Sequence, residues 1–364
     1  MLTTQKYTRE NSIEKLEEEF GLVAKHYDDR VVLNYKVDSK PKFHPIIIEC
    51  RGLILSKPDY NVLCRSFDRF FNYGEGDDKD TFDWDNCLIF NKLDGSLINV
   101  YHDGIKWCAA TRGTAYAEGT TPMGKSFDDL FLEAISVDLE TGFEFCSKDH
   151  TYIFELTSPE NRVVTRYRET RATLLAIRSN ITGIFVDYSM FTPHIMEFEF
   201  DCDIIRKYDL KNSFSPGELT KFVESRDAMD EGIVCYDPYS QKRIKIKNSS
   251  YVAIHRLKGE GEGSLKSFVD IVFKGEEDEL LVYFPEFTDT VMKYKAAYDK
   301  FINDIKDTWN KNKHIENQKD FALVVKDLNI SGIMFSLKKG RSIDDIIEHI
   351  TIDKKIDFIN KFMV

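Results

Sequence analysis

Residues 91–96 read Asn91-Lys92-Leu93-Asp94-Gly95-Ser96, directly after the apolar run Cys87-Leu88-Ile89-Phe90. A buried strand here delivers a lysine, an acid two residues later, and a glycine that lets the backbone turn. Lysine is a nucleophile only after its ammonium loses a proton, which desolvation or neighbouring positive charge promotes. Asp94 falls on the same side of an extended chain as Lys92 and is placed to orient the amine. The same residues also describe a strand leaving through a polar turn. The surrounding chain decides between the two.

Upstream, the apolar run at 46–55 is interrupted by Glu49-Cys50-Arg51-Gly52, which breaks the pattern of a buried strand. An arginine there either snorkels at an edge or faces an anion. Arg65-Ser66-Phe67-Asp68-Arg69-Phe70-Phe71-Asn72 sets two more arginines among aromatics. Nearer the N-terminus, the spacing of Ile13, Leu16 and Phe20 predicts a helix over 12–27, and a strand is expected over 31–37.

Downstream, His102-Asp103-Gly104 marks a hairpin between 97–101 and 106–110, followed by Arg112-Gly113. Leu130, Phe131 and Ile135 predict a helix over 127–140. The strand at 151–156 carries one carboxylate, Glu155, in an apolar aromatic run; a buried acid is costly unless paired or metal-bound. Arg162, Arg166, Arg168 and Arg171 crowd together after it, with strands expected over 173–177 and 184–188. Ser215-Pro216-Gly217-Glu218 opens a helix with a capping box and an N1 proline. Glu231-Gly232-Ile233-Val234 then enters a strand, and Lys245-Ile246-Lys247 follows on another. Period-two alternation puts the two lysines on one face and Ile244 and Ile246 on the other.

Beyond about residue 252 the texture becomes helical. Phe287, Val291, Tyr294, Tyr298, Phe301, Ile305 and Trp309 step by three or four, and Ser342 caps a second amphipathic stretch. Gly259-Glu260-Gly261-Glu262-Gly263 reads as a hinge.

The 364 residues carry 50 basic and 62 acidic side chains, a net charge of −12, which argues against indiscriminate nucleic-acid binding while leaving room for a local basic groove. Seven scattered cysteines without paired spacing speak for a reducing compartment, with no disulfide or zinc partner expected. No stretch approaches a membrane span, so a cytoplasmic protein without a membrane partner is expected.

Lys92-Leu93-Asp94-Gly95, Phe154-Glu155, Glu231-Gly232-Ile233-Val234 and Lys245-Ile246-Lys247 occur in that order. The arrangement resembles the covalent nucleotidyltransferases, and within them the phage RNA ligase 1 family, the tRNA-repair type. Glu49-Cys50-Arg51-Gly52, Phe70-Phe71-Asn72 and Tyr251-Val252 carry the narrower match.

The resemblance implies an ATP-dependent RNA ligase acting on RNA ends of cleaved tRNA, with ATP as cosubstrate and Mg²⁺ (or Mn²⁺) as cofactor. A monomer is expected, in the host-cell cytoplasm if the source is a phage. Lys92 becomes the nucleophile. Arg51, Arg69, Lys245 and Lys247 supply the positive field, and Glu155 and Glu231 hold the ribose and a metal. Phe71, Asp94 and Gly95 join the nucleotide site, with Leu175 and Val234 as adenine walls. Arg69 and Arg112 stand where the family more usually has lysines. Tyr35 or Leu33 takes the place of an N-terminal nucleotide-contacting tyrosine. Asp278 and Glu279 read either as a further metal site or as acids at a helix N-terminus.

The expected fold is α+β: a nucleotidyltransferase core of antiparallel sheets over 1–256, and an all-α domain over 257–364. A DNA ligase or capping enzyme would carry a β-barrel after the Lys-x-Lys strand. A non-catalytic RNA-end binder remains the alternative from another class.

Overall fold

The computed structural model describes residues 1–36, 39–76, 81–121, 124–208, 214–258 and 265–363. The chain divides into two compact units, Met1–Val252 and Ala253–Val364.

Three sheets build the first unit. Leu22–His26, Arg30–Tyr35, Arg51–Ser56 and Val62–Cys64 form an antiparallel sheet in chain order. Leu16, Phe20, Leu33, Ile47 and Leu53 share its core with the helices Thr3–Glu10 and Ile13–Phe20. In the largest sheet His150–Thr157 is central, flanked by Ser96–His102 and Arg171–Ser179. Ile98, Phe154, Leu156 and Leu174 pack there with Leu130 and Phe131 of the helix Phe127–Ile135, so these strands read as apolar runs rather than alternating ones.

The third sheet orders Phe71–Asn72, Arg243–Lys247, Gly232–Tyr236 and Leu88–Asn91. It is two-faced. Ile89, Ile233, Cys235, Ile244 and Ile246 pack on Leu219 and Val223 of the capped helix Pro216–Glu224. The opposite face, with Phe90, Val234, Lys245 and Lys247, turns to a cleft. Among the described residues, parallel pairing is confined to two edge strands, Phe71–Asn72 and Asp203–Ile204. The unit is α+β with mainly antiparallel sheets.

Several local expectations change. The helix over 12–27 stops at Phe20, because Gly21 adopts φ 62° and closes it, and 22–26 become a strand. The apolar run at 46–55 is a short helix, Pro45–Glu49, and then the strand Arg51–Ser56; Gly52, second in that strand, lets the backbone take φ +73°, where a Cβ would meet Arg112 O at 3.0 Å. The helix over 127–140 breaks at Ser136, φ 59°. Residues 184–188 are not a strand: Phe185 makes one bridge to Arg178 before the turn Tyr188–Met190. The expected hinge at 259–263 lies outside the described residues.

The second unit is helical. Leu265–Lys274, Thr288–Asn312, Gln318–Val325, Ser331–Lys338 and Ile352–Phe362 surround Val269, Phe301, Ile305, Phe321, Met334 and Ile359. On the long helix, Lys293, Lys300, Lys306 and Lys311 are exposed, whereas Lys295 pairs with Glu277 at 2.7 Å. No helix among the described residues is long and apolar enough to cross a membrane.

Candidate active site

Lys92 follows the strand Leu88–Asn91 and is fixed by its backbone N–H, which donates to Gly232 O at 3.0 Å. Its Nζ lies 2.5 Å from Glu231 Oε2, while Lys247 Nζ lies 2.9 Å from the other carboxylate oxygen. Burial pushes the Glu231 carboxyl up, but the two ammonium groups outweigh it and hold the carboxyl below its usual range. Gly232 makes this join possible: it adopts φ +133°, and a Cβ there would stand 2.1 Å from Ile246 O.

Glu155 comes from the central strand, opposite Leu97 and Thr173. Gly95 N–H donates to its Oε1 at 3.0 Å. Burial pushes its carboxyl up to about 7 against the attraction of Lys92, and the Glu231 charge adds to the rise. Gly95 has a second task, since a Cβ would sit 2.4 Å from Leu156 O. Only glycine lets the Lys92 turn lie against that strand.

Arg51, Lys92, Glu155, Leu175, Val234, Lys245 and Lys247 all line one cavity. Leu175 reaches it through a bulge, where the pairing shifts between Leu174 and Ala176. Lys245 is not a solvated lysine. Burial, then Lys92, Arg51 and Lys247, lower its ammonium to about 8. Arg51 Nη1 is buried without a hydrogen-bond partner.

Other expected residues stand elsewhere. Asp94 does not orient the Lys92 amine. Its carboxylate accepts from Val164 N and Thr165 N, both at 2.7 Å, and from Tyr251 Oη at 2.6 Å. It ties the lysine turn to the loop after Glu155 and to the tyrosine after Lys247. Arg69 and Phe71 line a neighbouring cavity. Tyr35 lies outside both cavities, its ring under Arg69 at 4.1 Å and Arg112 at 4.4 Å. Leu33 is fully buried in the first sheet's core. Glu49 accepts from Thr3 N at 3.0 Å and Thr4 N at 2.8 Å, capping the first helix. Asp278 is exposed in the first turn of Glu277–Tyr283, and the Glu279 side chain lies outside the described residues. Among the described residues no three His, Cys, Asp or Glu side chains gather as a metal site.

Sequence reading does not single out Phe90, Leu97 or Arg243, which also line the Lys92 cavity. Arg243 shared the period-two face of Lys245 and Lys247, and that was its only signal.

The family model described as RNA ligase matches residues 49–251, the span from Glu49 to Tyr251 that builds this site. A protein of Autographa californica nuclear polyhedrosis virus, named as a polynucleotide kinase/RNA ligase, is 32% identical over 94% of this chain. The chain spans 50% of that relative's length. An RNA ligase of Rhodothermus phage RM378 is 26% identical, covering 83% of this chain and 80% of its own. An archaeal ATP-dependent RNA ligase structure is 14% identical, covering 71% of this chain and 68% of its own with a TM-score of 0.48. The family match takes in more than half of the chain and places it among the RNA ligases. The chain belongs to the phage RNA ligase 1 family.

Proposed function

We propose that this protein is an ATP-dependent RNA ligase working through a lysyl-AMP intermediate on Lys92. The observation that carries the reading is the Lys92–Glu231–Lys247 array beside Glu155, at a cavity with Arg51 and Lys245 among its cations and Leu175 and Val234 among its apolar walls.

In the first step the neutral Lys92 amine attacks the α-phosphorus of ATP. A P–N bond forms, pyrophosphate leaves, and the amine proton is released. An oxygen of an RNA 5′-phosphate then attacks the same phosphorus; the P–N bond breaks and the lysine regains a proton. Finally an RNA 3′-hydroxyl attacks the 5′-phosphorus of the adenylylated strand, releasing AMP as the phosphodiester forms. Arg51, Lys245 and Lys247 stabilise phosphoryl oxygens in place before the charge develops. Glu231 keeps Lys92 and Lys247 apart and aimed.

Glu155, whose ionised form lacks a full counter-charge, fits a divalent cation with Glu231 nearby. Mg²⁺ or Mn²⁺ bound there would neutralise phosphate charge. The RNA is proposed to be a cleaved tRNA in the host cytoplasm, sealed by a monomer, with residues 257–364 favouring that substrate. The exposed lysines of Thr288–Asn312 suit phosphate contacts that position without reading sequence.

Incubation with α-labelled ATP and a divalent cation, followed by acid precipitation, tests the reading. Wild-type protein should retain label and lose it on adding 5′-phosphorylated RNA. Label that persists on Lys92→Ala would sink the assignment.

A further inference from the structure

Beside the Lys92 cavity lies a second one, sharing the wall formed by Phe67, Phe70 and Arg243. Its chemistry is aromatic and cationic. Phe43 and Phe71 stand edge to face with ring centroids 5.0 Å apart; Phe43 is 40% exposed and Phe71 8%. Arg69, Arg178 and Arg243 line it together with one acid, Asp68. Arg178 takes that carboxylate at 2.7 and 2.9 Å. Arg243 is left against the rings of Phe185, Tyr236 and Phe67 at 3.9 to 4.6 Å. Arg69 Nη1 is buried without a hydrogen-bond partner, as is Arg51 Nη1 in the first cavity. Phosphate-directed arginines beside a stacking face are what a nucleotide of a single strand requires.

The order of in-line displacements says which nucleotide. Pyrophosphate leaves the α-phosphorus on the side opposite Lys92 Nζ. The RNA 5′-phosphate must enter opposite the departing Lys92, hence from that same side. The 5′ end therefore takes the place pyrophosphate vacated, and in the adjoining cavity Arg69 Nη1 is a buried donor without a partner. We propose that the second cavity binds the 5′-terminal nucleotide of the phosphate-bearing RNA strand, its base against Phe43 and Phe71 and its phosphate towards Arg69. This rests on the ligase reading above.

The test uses the full chain and two 5′-phosphorylated RNA oligonucleotides, one with 2-aminopurine as its first nucleotide and one with it as its last. Wild-type protein should quench the first probe much more than the second, and Phe43→Ala should abolish that difference. Lysyl-AMP formation by Phe43→Ala should stay within about twofold of wild type. AMP transfer from the isolated lysyl-AMP protein to RNA should slow about tenfold, the scale of one lost base–aromatic stack. Phe43→Tyr should restore it. Transfer by Phe43→Ala at the wild-type rate, or quenching confined to the 3′-terminal probe, overturns the proposal. Equal loss of adenylation and transfer also overturns it, making Phe43 a structural residue. A wild-type protein that never acquires label defeats the ligase reading instead, and the quenching contrast still judges the cavity.

Discussion

Lys92 Nζ and Lys247 Nζ share one carboxylate, at 2.5 Å and 2.9 Å from its two oxygens, and that carboxylate belongs to Glu231, whose side chain is only 6% exposed. Lys92 is held by a residue that a sequence reader meets far downstream. Replacing Glu231 by Gln leaves two ammonium groups facing each other without their anion. Lysyl-AMP formation is expected to fall about a hundredfold or more, the scale of losing one preorganised electrostatic partner. Because both lysines are partly solvated, the stability cost should be about 1–3 kcal/mol rather than the full value of a buried pair. Glu231 titrates below its unfolded value, so its stabilising contribution is present above that value and is lost as pH falls through the folded one. Wild-type protein should lose more stability on acidification below about pH 4.5 than Glu231→Gln does, by thermal melts across that range.

Glu155 has the opposite sign. Its folded value of about 7 exceeds the ordinary glutamate value of 4.5, so the native state binds the extra proton between them. Without ligand, stability contributed by this group falls as pH rises through that window, by up to about 3 kcal/mol. Glu155→Gln should remove the slope and melt higher than wild type at pH 7.5. A divalent cation bound at Glu155 should raise the wild-type melting temperature at that pH and leave Glu155→Gln much less affected. Parallel melting curves for the two proteins from pH 5 to 7.5 would contradict the assignment.

Lys245, lowered to about 8, loses its charge where an ordinary lysine keeps it. ATP affinity should weaken as pH rises from 7 to 9, by up to about tenfold, as this cation is titrated away. Lys245→Arg, which cannot be deprotonated in that range, should bind with a flatter profile. In the ligand-free protein the sign reverses, since a depressed ammonium makes the fold more stable as pH rises from about 8. Calorimetric titration at several pH values separates the two.

Gly95→Ala tests close approach. The added methyl would meet Leu156 O at 2.4 Å, backbone that cannot rotate aside. The Lys92 turn must lift from the central strand, breaking the Gly95 N–H bond to Glu155. A loss of about 1–3 kcal/mol and a severe loss of lysyl-AMP formation are expected. An alanine variant with wild-type stability and labelling would show that the turn moves freely.

Much of the site could be read because its residues break the rules of the strands they sit on. Glu155 interrupts an aromatic run, Arg51 an apolar one, and Lys245 and Lys247 alternate with isoleucines. Such violations of a local pattern mark chemistry. Arg243 was missed because an arginine at a strand's start violates nothing. Asp94 was given the wrong partner for a related reason: proximity along the chain suggested Lys92, while the hydrogen bonds run to Val164, Thr165 and Tyr251. The helix over 12–27 failed because apolar spacing carried on past Gly21, and only the backbone at that residue stops it.

What the sequence determined by itself was the set of elements and their faces. Hydrophobic period, caps and glycines are properties of a few neighbouring residues, and they specify a lysine after a buried strand and two lysines on one strand face. It also determined the family, because ordered short motifs survive where overall identity is modest. Only the tertiary structure decided which charges meet. Lys92 and Glu231 are separated by 139 residues, and their 2.5 Å contact exists because Leu88–Asn91 pairs with Gly232–Tyr236 in one register. Burial then decided how those charges behave: the same desolvation that raises Glu155 lowers Lys245, and no residue's own identity encodes how much water the fold removes from around it.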